Sequence, residues 1–189
     1  MRFSGIEIKH LAISWAAITM AFTIVMLDPG KGFLVTLLHS ALAVGTGFVF
    51  HELGHKLVAQ RYGCWAEYRA DFRMLFFAII ISFTGFLFAA PGAVLIHGNV
   101  DKARNGKISM AGPLTNILIA VIFLAISFFS QGILQSIALF GTQINAWLAL
   151  FNMLPFGNFD GRKIFAWNRA VYFSMIICAA VLLFPFFLA

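Results

Sequence analysis

The chain has 189 residues, 61% of them hydrophobic and 11% charged, whereas a soluble domain carries about 25% charged residues. That balance excludes a water-soluble globule and a disordered chain, and a count of two cysteines excludes a disulfide scaffold. The formal net charge of +6 then reports the basic loops of a membrane protein, so no nucleic-acid partner is expected.

A membrane-crossing helix needs about 20 mostly apolar residues. Leu11–Leu27 is the first such run, closed by the helix-breaking turn Asp28-Pro29-Gly30-Lys31-Gly32. A charged start precedes it, but no small-residue cleavage site precedes the turn, so it reads as a retained anchor. Phe33–Phe50 is next, and its helical character continues through His51-Glu52-Leu53-Gly54-His55 to about Gln60. Arg61–Arg73 reads as a polar connection whose Tyr62, Trp65 and Tyr68 suit a membrane interface. Met74–Ala90 is apolar but interrupted by Gly85 and followed by Pro91-Gly92. A charged loop, Asp101–Lys107, leads into Ile108–Phe129. Gly132–Leu154 follows, then the turn-rich Pro155–Gly161, and Ala170–Leu188 closes the chain. The expected fold is an all-α polytopic membrane protein, a single domain over residues 1–189. It has about five transmembrane helices and a membrane-dipping re-entrant segment or β-hairpin around Met74–Ile96.

Charge decides how Met74–Ala90 runs. If it enters and leaves on one face, all of the 13 Lys and Arg residues except Lys31 share a single face. If it crosses, they divide almost evenly. The positive-inside rule selects the first arrangement and makes the basic face cytoplasmic. Backbone that dips without crossing is tolerated only where protein or a wet cavity covers it, so this segment is expected to line something.

Of seven acids, Glu7, Asp28, Glu67, Asp71 and Asp101 read as loop or terminal residues, leaving Glu52 and Asp160 beside apolar helices. Glu52 sits within His51-Glu52-Leu53-Gly54-His55. On a helix, positions i and i+4 share a face, so both imidazoles can reach one metal while Glu52 flanks it as a base for bound water. Catalytic zinc takes three protein ligands. His39 lies off the face of the pair and near the opposite membrane surface, His10 begins the first helix, and His97 follows the re-entrant piece as an alternative ligand. Asp160 fits best: with Met74–Ala90 re-entrant, the helix before it ends on the same side as the His51 helix. With a crossing segment it would end about 30 Å away.

Three motifs in order, His51–His55, Gly112-Pro113-Leu114-Thr115-Asn116 and Asn152-Met153-Leu154-Pro155 through Asp160-Gly161, resemble the HExxH, GPxxN and NxxPxxxxDG signatures of the site-2 proteases. These are intramembrane zinc metalloproteases that cut transmembrane segments of other proteins. The resemblance implies a three-helix catalytic core at about 33–60, 108–129 and 132–160, and makes Pro91-Gly92-Ala93-Val94 the family's membrane-dipping Gly-rich hairpin. The chain departs from the family where Asn158 or its neighbours replace a further proline and where Arg162 replaces a second glycine. Gly112-Pro113 shapes a helix start or allows close packing near the metal. Asn116 bonds a neighbouring helix or holds the Asp160 loop, and Asn152 caps carbonyls above Pro155 or donates to the substrate oxyanion. Ala41, Gly45 and Gly47 read as helix-packing positions.

The functional expectation is peptide hydrolysis in a prokaryotic cell membrane, near its cytoplasmic side, with one Zn2+ per chain. The partners are a transmembrane-protein substrate and the lipid bilayer. Other metalloenzymes fit less well: a tail-cutting membrane zinc protease would use a downstream Glu, and no Glu follows Glu67. A haem- or ion-binding membrane protein would need paired histidines on separate helices or several buried charges, which the sequence does not offer.

Overall fold

In a computed structural model of the chain, residues 1–27, 30, 32–87 and 91–184 are described. Helix α1 (Gly5–Val25) starts at Ser4, whose hydroxyl accepts the Glu7 N–H at 3.1 Å. Helix α2 (Phe33–Val44), a π-helical turn (Gly45–Val49) and α3 (Phe50–Arg61) form one 29-residue rod. Strand β1 (Trp65–Ala70), α4 (Phe72–Ser82) and β2 (Gly92–His97) follow, then α5 (Lys102–Phe129), α6 (Gly132–Asn152), α7 (Asp160–Trp167) and α8 (Arg169–Leu183). Among the described residues, four helices are long and apolar enough to cross a membrane: α1, the α2–α3 rod, α5 and α6. The expected final span is present as the 15-residue α8, and residues 185–189 lie outside the described part. Lys31, the one basic residue assigned to the opposite face, also lies outside it.

Small residues let the helices approach closely. Trp15 of α1 donates its indole N–H to the Ala41 carbonyl of α2 at 3.0 Å, and a Cβ on Gly45 would stand 3.1 Å from the same nitrogen. Ile18, Ala21 and Phe22 of α1 pack with Ala43, Val44, Phe48 and Ile144 in one core cluster. Tyr172, Met175 and Ala179 of α8 close a second cluster with Ile117, Ala149, Met153 and Ile164.

The expected hairpin around Met74–Ile96 takes a different form. The strands are β1 and β2, paired antiparallel from Trp65↔His97 to Ala70↔Gly92, with α4 inserted between them. The first strand therefore comes from the stretch read as a polar connection. The chain leaves the sheet at Ala70 and returns beside it at Gly92, so the intervening excursion begins and ends at one place. Helix α4, at about 1.5 Å per residue, spans only about 16 Å. Pro91 and Gly92 make this closure. The Pro91 carbonyl accepts from Asp71 N–H and from the Tyr68 hydroxyl, each at 2.9 Å. Burial pushes the Tyr68 phenol well above its usual range, so it stays protonated and able to donate. Gly92 has φ +148°, and an added Cβ would strike the Arg69 carbonyl.

Three further expectations change. Asp101–Lys107 is mostly helix, because the Asp101 carboxylate caps α5 by accepting Arg104 N–H at 2.7 Å. Glu7 and Lys56, read as terminal and cytoplasmic charges, are fully buried and form an ion pair with each other, and Glu7 also accepts Tyr68 N–H at 3.0 Å. Glu67, read as a loop residue, is buried and bonded to Ser4 and Arg69. A charge on an apolar helix is costly without a partner. Each of these finds one on a segment distant in the sequence or on the strand beside it.

Candidate active site

His51 and His55 lie one turn apart on α3, both buried. The His51 Nδ1 stands 2.6 Å from Asn116 Oδ1, and the His55 Nδ1 stands 2.8 Å from the Ile108 carbonyl. With acceptors at both Nδ1 atoms, both Nε2 atoms are left to face inward. Helix α6 stops at Asn152, because Pro155 cannot continue it and Gly157 turns the chain at φ +58°. The chain re-enters helix at Asp160, so this residue opens α7 instead of ending the helix expected to reach 160.

Asp160 Oδ2 lies 3.0 Å from His55 Nε2 and 3.3 Å from His51 Nε2, and the two Nε2 atoms are 3.0 Å apart. A tetrahedral zinc with bonds of about 2.0–2.1 Å holds its ligand atoms about 3.3–3.4 Å apart. The donor set, two imidazoles and a carboxylate converging at that spacing, fits zinc. Among the described residues these three form the one His, Cys, Asp or Glu group able to hold a metal.

Glu52 is buried beside them, and a cavity of about 1060 Å³ opens over the group. All eight residues singled out in the sequence (His51, Glu52, His55, Pro91, Gly92, Asn116, Asn152 and Asp160) line this cavity. Gly112 stands in the middle of α5, not at a helix start. A Cβ there would meet the Nε2 atoms of both histidines, which favours the close-packing alternative. Asn116 bonds neighbouring helices, donating to the Gly47 carbonyl at 2.9 Å and to Asn145 Oδ1 at 3.1 Å. Asn152 caps a carbonyl, that of Leu148 at 2.9 Å, one turn before itself.

The remaining histidines lie elsewhere. His97 stacks edge-on against Trp65, with centroids 5.0 Å apart. His10 Nδ1 accepts Ala70 N–H at 3.1 Å, and His39 Nδ1 bonds the Val35 carbonyl at 2.8 Å. Asn145 was missed; a buried amide within a membrane-length helix is the signal that marks it.

The description "Peptidase family M50" matches residues 39–138. A Methanocaldococcus jannaschii protein that bears a zinc metalloprotease name is 43% identical over 175 residues, covering 90% of this chain and 89% of that protein. The Mycobacterium tuberculosis protein Rip3, also carrying a zinc metalloprotease name, is 31% identical over 148 residues, covering 74% of this chain and 32% of its own length. A second M. jannaschii protein named as a zinc metalloprotease is 30% identical over 118 residues, 61% of this chain and 30% of that protein. No solved structure matches the chain. The paired imidazoles, the carboxylate that meets them and the apolar helices around them agree with these relatives, and the chain belongs to peptidase family M50, the site-2 proteases, as a membrane zinc metalloprotease.

Proposed function

We propose that the protein cuts transmembrane segments of other membrane proteins, in regulated intramembrane proteolysis, from a site near the cytoplasmic side of a prokaryotic cell membrane. In this reading His51, His55 and Asp160 hold one zinc per chain and Glu52 is the general base. The observation that supports it is the cavity, whose lining brings Glu52 and the three candidate ligands together with Gly92, Val94 and Ile96 of β2.

The outer edge of β2 is derived from the sheet. Tyr68 N–H bonds Glu7 and Ala70 N–H bonds His10, so both point away from β2. Their partners across the ladder, Val94 and Gly92, therefore point their own backbone groups away from β1. Among the described residues the sheet has two strands, so no third strand takes up these groups, and Gly92, Val94 and Ile96 line the cavity. A substrate helix closes its amides by internal hydrogen bonds and must unwind before water can attack. An unwound strand can pair with Gly92, Val94 and Ile96 and so lie across the metal ligands.

Bound zinc supplies Lewis acidity, lowering the pKa of a water toward about 7 and polarising a carbonyl. Glu52 takes the proton of the attacking water and returns it to the leaving amide nitrogen. Asn116 and the Ile108 carbonyl keep the imidazoles turned toward the ligand position.

The test uses purified protein and a reporter whose cut site lies within a transmembrane segment. Glu52→Gln is expected to keep one zinc and lose about 100-fold or more in cleavage rate. Wild-type cleavage by that variant refutes the role of Glu52, and cleavage confined to a soluble tail refutes the intramembrane reading.

A further inference from the structure

We propose that Asn145 acts as a positioning residue. Through Asn116 it determines which ring nitrogen of His51 carries the hydrogen, and so keeps His51 Nε2 ready for the metal. The inference rests on the zinc reading of the site, but not on what the enzyme cuts.

An amide side chain is nearly symmetric in shape, so its direction comes from its partners. Here two partners are backbone carbonyls, which only accept. The Gly141 carbonyl lies 2.9 Å from Asn145 Nδ2, which turns Asn145 Oδ1 toward Asn116. The Gly47 carbonyl lies 2.9 Å from Asn116 Nδ2, and Asn145 Oδ1 lies 3.1 Å from the same atom. Asn116 thus spends one amide hydrogen on each, and its Oδ1 is left facing His51 Nδ1 at 2.6 Å. A neutral imidazole carries one hydrogen. With Nδ1–H donating to Asn116 Oδ1, Nε2 is the atom that would bind zinc where Asp160 and His55 converge, and there it gives up any hydrogen it lends to Asp160 Oδ2 at 3.3 Å.

Reversing Asn116 would set its oxygen against both the Gly47 carbonyl and Asn145 Oδ1, and its NH2 against His51. Both asparagines are fully buried, so water cannot relieve those clashes. The π-helical turn Gly45–Val49 takes part: it lies just before His51, and its Gly47 carbonyl accepts both the Phe50 N–H and the Asn116 amide. A Cβ on Gly47 would stand 2.7 Å from Leu148 and 3.3 Å from Asn145 Oδ1, so glycine lets α6 come close enough to join the relay.

The test compares Asn145→Leu, which keeps the bulk but offers Asn116 no acceptor, with Asn145→Asp, which still presents an oxygen to it. Protein labelled with 15N-histidine and loaded with zinc is studied in detergent by two-bond 15N–1H correlations, with His51 assigned through His51→Gln. Zinc affinity is measured by chelator competition, and thermal stability is followed without metal. Wild type and Asn145→Asp are expected to show the Nδ1–H form. Asn145→Leu is expected to show a mixture of forms and to bind zinc about 10-fold more weakly. If Asn145→Leu does not accumulate, Asn145→Ala carries the same expectation. An unchanged His51 pattern and zinc affinity in the Leu or Ala variant overturns the proposal. So does equal weakening by Leu and Asp that tracks lost thermal stability, since that is a packing effect. Neither readout involves proteolysis, so a wild-type protein that binds zinc this way yet spares transmembrane reporters counts against the proposed function alone.

Discussion

Gly112→Ala places a single methyl group where the metal ligands converge. The added carbon would lie 2.6 Å from His51 Nε2 and closer still to His55 Nε2. Ordinary non-bonded contacts between such atoms begin near about 3.5 Å, so the rings must retreat by about 1 Å or α5 must move away from α3. Zinc coordination tolerates deviations of about 0.2 Å, several times less than that displacement. Losing an outer hydrogen bond to a ligand costs about 10–100-fold in metal affinity. Displacing two ligands directly is expected to cost at least about 100-fold. The assay is competition for zinc against a chromophoric chelator, with zinc content per chain measured alongside. Gly54→Ala is the control: its Cβ would meet Thr115 Oγ1 at 2.8 Å and the Ala111 carbonyl at 2.9 Å, disturbing the same helix contact without aiming at the imidazoles. Gly112→Ala binding zinc as tightly as wild type, or no more weakly than Gly54→Ala, would refute the placement of the metal beside this glycine.

Glu7→Gln leaves Lys56 buried without its counter-charge and is expected to destabilise the protein by about 3–5 kcal/mol. The double change Glu7→Gln with Lys56→Met should recover much of that loss, and a thermal shift for the single change no larger than for the double refutes the pairing. Cysteines placed near Lys102 and near Arg162, in a background lacking Cys64 and Cys178, should react with membrane-impermeant thiol reagents only from the cytoplasmic side. One near Lys31 should react only from outside. Labelling near Lys102 from outside would overturn the proposed orientation of the site.

The candidate metal group was legible because helical periodicity is strict: His51 and His55 could meet on one face, and Asp160, expected at the same depth, stands beside them. Proline and glycine marked the end of α6 equally well. The sequence was less informative where tertiary partners decide. Trp65–Ala70 carries two charges in six residues and reads as a connection. It becomes a strand because β2 supplies its ladder and Glu7 and His10 occupy the N–H groups on its other edge. Glu7 read as a terminal acid and Lys56 as one of the basic-face residues, and only the packing of α1 against α2 and β1 brings the two side chains together. Asn145 lies outside all three motifs, two turns before Asn152 on α6, and its contacts run to Asn116 on another helix, which no local pattern announces.

The ligand set is divided in time as well as in space. His51 and His55 leave the ribosome together, but Asp160 follows by about 100 residues, and at about 5–20 residues per second its delivery takes a further 5–20 s or so. Until α7 docks against α5, a nascent chain offers two imidazoles with Glu52 beside them but not the Asp160 carboxylate. The order of synthesis therefore delays completion of the His51–His55–Asp160 group until the helices that surround it, α5 and α6, have been made.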